Sequence, residues 1–133
     1  MLDVLIQPTR TTPYVKMDSE ESIIVFTGRS SPENSLEFYH PLIQNIPKLF
    51  SQSSEPLTVE MSLSYFNTSS SKCLFDLFKT LKVLSKSGKE VVINWHYDED
   101  DEDMLETGED YSDLLDLEFN FIEEDEVGHV SFA

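Results

Sequence analysis

The sequence is short of the features that most often declare a function. A single cysteine, Cys73, occurs in 133 residues, so no internal disulfide can form and the fold does not rely on an oxidising compartment. The four glycines, Gly28, Gly88, Gly108 and Gly128, are scattered, and neither GxGxxG nor GKS/T occurs. Nucleotide hydrolysis is left unsupported. No apolar run approaches the ~20 residues that cross a bilayer. The opening Met1-Leu2-Asp3-Val4-Leu5-Ile6 lacks the basic lead of a secretory signal. A soluble, cytoplasmic chain without membrane insertion is the expectation.

Basic residues are missing from a whole third of the chain. All nine Lys and Arg fall in residues 1–89, where nine Asp and Glu balance them, and the other 17 acidic residues fall in 90–133. The net charge of −17 therefore belongs to the C-terminal third. Such a block repels nucleic-acid phosphates and anionic lipid, and it suits a basic protein partner or simple solubility. What is present is enough for one core: 39% hydrophobic residues, 11% of the chain aromatic, predict one domain over 1–133.

Periodicity sets the order of elements. Leu2–Ile6, Tyr14–Met17 and Ser22–Thr27, the last closed by Gly28, read as three opening strands. Ser31 as cap, Pro32 as first helical residue and Glu33 near the positive dipole end predict a helix. Its inward face is Tyr39, Leu42, Ile43, Ile46, Leu49 and Phe50, with Pro41 and Pro47 expected to kink or break it. Leu57–Tyr65 alternates with the strand period. Asn67-Thr68-Ser69-Ser70 then offers four helix-capping residues, followed by Leu74, Leu77, Phe78, Leu81 and Leu84 up to Ser87-Gly88. Glu90–Tyr97 reads as a strand buried on both faces. Met104, Gly108, Tyr111 and Leu115 share a third helical face, and Phe119–Glu123 reads as a last strand. The order βββαβαβαβ predicts an α/β fold with a parallel half.

Catalytic candidates are few. Cys73 sits among apolar helix positions and reads as a packed residue. His40, His96 and His129 show no paired ligand spacing. His96, between Trp95 and Tyr97, reads as structural, with a base or ligand role as the alternative. The run Asp98 to Asp103 has Asp103 where a calcium loop needs glycine, so it reads as the solvated acidic start of helix three. No metal or cofactor is expected. Lys72, Lys79, Lys82 and Lys86 project near one another beside Phe75, either as a partner-docking surface or with Phe75 packed inward and the lysines in water. A cap needs one residue, not four, and hydroxyls at a helix N-terminus also suit phosphorylation, because the dipole and free N–H groups tolerate a phosphate.

Pro32-Glu33-Asn34-Ser35, Asn67-Thr68-Ser69-Ser70 and Trp95-His96-Tyr97-Asp98, with Thr12-Pro13 and Asp18, resemble the SiaC family of bacterial regulatory phosphoproteins. The resemblance covers nearly the whole chain. It implies a fold similar to STAS domains of anti-sigma factor antagonists: a mixed sheet of opening antiparallel strands and then alternating β and α, with about three helices packed on it. It implies a non-enzymatic regulator whose phosphosite falls on Thr68. A kinase adds that phosphate, a PP2C-type phosphatase removes it, and the unmodified protein activates a diguanylate cyclase in cyclic di-GMP signalling of attachment or biofilm behaviour. On this reading Asn67, Ser69, Ser70 and Phe75 flank Thr68 on the docking surface. The alternative with the same switch is an anti-sigma factor antagonist acting on an anti-sigma kinase.

Overall fold

The computed structural model describes residues 2–128. Nine elements follow in the order β1 (Leu2–Ile6), β2 (Tyr14–Asp18), β3 (Ile23–Ser30), α1 (Ser35–Phe50), β4 (Leu57–Phe66), α2 (Thr68–Lys86), β5 (Val91–Asp98), α3 (Glu102–Leu115) and β6 (Phe119–Glu124). They build one six-stranded sheet in sequence order, antiparallel across β1, β2 and β3 and parallel from β3 to β6. Because the parallel strands advance in one direction, right-handed crossovers place all three helices on the same face. Every helix then starts at the same end of the sheet, where β3, β4 and β5 finish.

The alternation in β4 works as read: Leu57, Val59, Met61 and Leu63 are buried under the helices, and the residues between them are not. In β5 the expectation of two buried faces is corrected. Ile93 and Trp95 are buried, whereas Val92, Asn94 and His96 are half-buried on the uncovered face. A one-sided helix layer leaves that face to water, which is why it carries Asn and His.

The first helix departs from expectation twice. Its cap is Asn34, whose side chain accepts from Glu37 N, and not Ser31. Ser31 is held in the preceding loop, where its N–H donates to Thr11 O at 2.7 Å and its hydroxyl accepts from Arg29 Nε at 3.1 Å. Nor do Pro41 and Pro47 break α1, which runs unbroken through both. Both prolines are exposed, so the carbonyls they deprive of a donor can turn to water. Strand β3 also outruns its expected end, passing through Gly28 at φ +119° and a register shift to reach Ser30.

Helix α3 lies close over β5. A Cβ on Gly108 would sit 2.6 Å from Trp95 Nε1, so only glycine permits that approach. The indole N–H donates to Met104 O at 3.0 Å, fixing the ring against the first turn of α3. Strand β6 is the far edge of the sheet among the described residues, flanked by Glu118, Glu123, Glu124, Asp125 and Glu126, all exposed.

Candidate functional site

Two strand-to-helix turns stand side by side at the finishing end of β3 and β4, built on the same grammar. Each has an asparagine cap followed by small hydroxyl residues: Asn34-Ser35 into α1 and Asn67-Thr68-Ser69-Ser70 into α2. Backbone ties them, since Asn67 N donates to Ser30 O at 3.0 Å. Asn67 Oδ1 accepts from Ser70 N at 2.9 Å and from the Ser69 hydroxyl at 3.2 Å.

Beneath this surface lies a chain of hydroxyls. Ser35 Oγ is 2.7 Å from Ser69 Oγ and 3.2 Å from Ser70 Oγ. Ser30 Oγ donates to Ser70 Oγ at 2.9 Å and lies 2.6 Å from Tyr39 OH. Burial pushes the Tyr39 phenol well above its ordinary pKa, so it stays protonated and remains a hydrogen-bond donor. The network joins the end of β3, the start of α1 and the start of α2. Ser30→Ala is expected to cost about 1–3 kcal/mol, because it strips the buried Tyr39 hydroxyl of a partner. Tyr39→Phe removes the needy group itself and should cost less. Urea denaturation of both variants checks this, and a costlier Tyr39→Phe would overturn the network reading.

The geometry separates the candidate residues. Thr68 is exposed, and among the described residues its hydroxyl has no hydrogen-bond partner, whereas every polar neighbour in the turn is committed. Asn67 caps, Ser69 bridges to α1, and Ser71 Oγ donates to Thr68 O at 2.7 Å. Ser70 is corrected. It is fully buried at 0% exposure, so no partner can touch it and it supports the turn from within. Phe75 is half-buried, its ring 6.4 Å from the Tyr111 ring with Lys79 Nζ 5.7 Å above it. Phe75 therefore packs against Tyr111 of α3 rather than standing free, while Lys72, Lys79 and Lys86 beside it are exposed.

The remaining candidates have structural employment. Burial pushes the Cys73 thiol up, away from the thiolate a nucleophile needs. Both ring nitrogens of His96 face carboxylates, Nε2 at 2.6 Å from Glu60 and Nδ1 at 2.5 Å from Glu124. With Asn94 donating to Glu60 at 2.6 Å and Asn120 to Asn94 at 3.0 Å, they make a polar ladder across β4, β5 and β6. Asp101 caps α3 through Met104 N, and Asp98 Oδ1 accepts from Val127 N at 2.8 Å. Asp18 closes a turn by accepting from Glu20 N and Glu21 N, each at 3.0 Å. No group of three or more His, Cys, Asp or Glu among the described residues is placed to hold a metal ion. His129 lies outside the described residues.

The family model of SiaC family regulatory phosphoproteins matches residues 6–124, nearly the full span of the sheet. The chain belongs to the SiaC family. Among curated proteins the family likeness extends to an uncharacterised protein of Pseudomonas aeruginosa strain UCBPP-PA14. It is 30% identical over 126 residues, covering 95% of this chain and all of that one. Among solved structures, apo-SiaC of Pseudomonas aeruginosa is 30% identical, with a TM-score of 0.80 over 93% of this chain and 99% of its own. The crystal structure of the diguanylate cyclase SiaD in complex with its activator SiaC, from the same organism, matches at 29% identity. There the TM-score is 0.85, over 92% of this chain and 100% of the matched one. The family's mixed α/β fold is thus the fold described above, and the family is one of regulators.

Sequence reasoning missed Ser30, Ser35 and Tyr39 as parts of the site. The signal was available in the repetition of Asn-Ser and Asn-Thr-Ser after two adjacent strands. Ser70 was legible too: it falls on the Leu74, Leu77, Leu81 and Leu84 stripe, spaced for the buried side of α2.

Proposed function

We propose that this chain is a phosphorylation-controlled activator of a diguanylate cyclase, non-enzymatic itself, which binds the cyclase while Thr68 is unmodified. A partner kinase places phosphate on Thr68 and blocks binding; a PP2C-type phosphatase restores it. The observation that carries the reading is the singularity of Thr68, the one hydroxyl in the turn Asn67–Ser71 that is both exposed and uncommitted. Its place at the first position of α2 puts a phosphate beside the positive end of the helix and its free N–H groups. The domain can carry the modification without unfolding. The likeness to an activator solved in complex with its cyclase supports the choice of partner over an anti-sigma kinase. Asn67 and Ser69 flank Thr68 on the contact surface, and Ser70 holds the turn from inside.

Incubation with the cognate kinase, followed by mass spectrometry of the modified peptide, tests the site. Phosphate is expected on Thr68, with incorporation abolished in Thr68→Ala. Phosphate on Ser69 alone, or undiminished labelling of Thr68→Ala, would sink the assignment.

A further inference from the structure

Helix α2 presents to solvent a stripe that no element of the fold covers. Thr68, Lys72, Asp76, Lys79, Val83 and Lys86 recur every three or four residues, share one side of the helix and are all exposed. The stripe spans about 27 Å at the rise of an α-helix. Three lysines face one aspartate along it, in a chain whose net charge is −17. Among the described residues none of these three lysines makes an ion pair, although Asp76 lies four residues from Lys72 and three from Lys79. Lys82 is different: it stands off the stripe, half-buried, and donates to Asp116 O. Lys79 is steered over the Phe75 ring. Val83, between Lys79 and Lys86, is 67% exposed, an apolar centre with a charged rim.

We infer that this stripe is the docking surface for an acidic surface of the cyclase, with Thr68 at its head. The inference rests on the function proposed above. Its occupant follows from charge. A polyanion such as DNA or an anionic membrane would meet the acidic outer side of neighbouring α3, where Glu102, Asp103, Glu106, Glu109, Asp110 and Asp113 are exposed. A protein partner can match the stripe locally and avoid that field. The stripe also gives the phosphate a second way to act. Its lysines exceed its acid by two, and a phosphate carries roughly two negative charges at neutral pH. Modification of Thr68 therefore cancels the charge of the whole stripe, and Lys72, one turn along, is placed to pair with the phosphate and withdraw from the partner.

The test is titration of the purified cognate diguanylate cyclase with the full chain and with Lys79→Glu, Lys86→Glu, Val83→Asp and, on α1, Lys48→Glu. All four positions are exposed, and thermal melts confirm folding. Each stripe variant is expected to weaken binding about tenfold or more, and Lys48→Glu to leave it unchanged. Raised salt should weaken the wild-type complex. If wild type binds and Lys79→Glu and Lys86→Glu bind equally well, the inference fails and the proposed function stands. If wild type binds no cyclase, the proposed function fails and takes the inference with it. Stripe variants that lose phosphorylation by the kinase yet keep the cyclase assign the surface to the kinase and overturn the inference. So does retention of wild type on phosphatidylserine-rich vesicles or duplex DNA.

Discussion

Trp95→Ala is expected to remove about 3–5 kcal/mol of stability, a large part of the ~5–15 kcal/mol that holds a domain together. Trp95 is 1% exposed and sits at the hub of the aromatic core. Phe66, Phe78, Tyr111 and Phe119 surround it at centroid distances of 6.3, 6.1, 5.8 and 5.8 Å. Truncation opens a cavity and frees the Met104 carbonyl at once. Gly108→Ala attacks the same contact from the other side. Its methyl would meet the indole at 2.6–2.7 Å, and overpacking of that kind costs about 1–3 kcal/mol. That outweighs the ~1 kcal/mol alanine gains in helix propensity. The two should not add. In a Trp95→Ala background the Gly108→Ala methyl enters empty space and becomes neutral or stabilising. Urea unfolding of both single variants and the double variant reads the coupling, and additive costs would show that α3 does not rest on Trp95.

Phosphate on Thr68 is expected to weaken cyclase binding ~30-fold to several thousand-fold, the equivalent of ~2–5 kcal/mol for a charge brought into a contact without its counter-charge. Thr68→Glu should reproduce part of that loss, since one carboxylate carries half the charge and fewer acceptor oxygens. Calorimetry of modified and unmodified chain measures it directly. Salt separates the two ways a phosphate can act. Cancellation of the α2 stripe is a screened, long-range effect, so the penalty should shrink as salt rises. A phosphate trapped and desolvated in the contact keeps its penalty. Equal affinity of the two forms would refute the blocking role.

Elements whose residues repeat on a clear period were legible in the sequence. The alternation from Leu57 to Tyr65 gave β4 to within a residue, and the Leu74 to Leu84 stripe gave α2. Gly108 was readable as a close approach because a glycine inside an otherwise periodic helix needs a reason. What failed depended on tertiary placement. Ser31 and Asn34 are both good caps, and only the tie of Ser31 to Thr11 decides between them. The single open face of β5 is written only in the short alternation of Asn94 and His96 with Ile93 and Trp95, which the apolar run from Val91 to Ile93 masks. Ser70 looked like its neighbours in composition and differed only in phase along the helix. Thr68 was singled out by the family resemblance alone; the exposure of its side chain and the commitments of Asn67, Ser69 and Ser71 around it were not legible in the sequence.

The outer edge of β6 also accounts for some of the acid in the last third of the chain. In a sheet that runs in sequence order, β1 and β6 are the two edge strands among the described residues, and a second copy could add its β1 to the β6 of the first. Such a head-to-tail contact does not close on itself and would grow into a filament. Glu118, Glu123, Glu124, Asp125 and Glu126 set repulsion against any strand arriving at that rim. Part of the charge can thus serve as insulation, keeping an exposed strand from becoming a template for polymerisation.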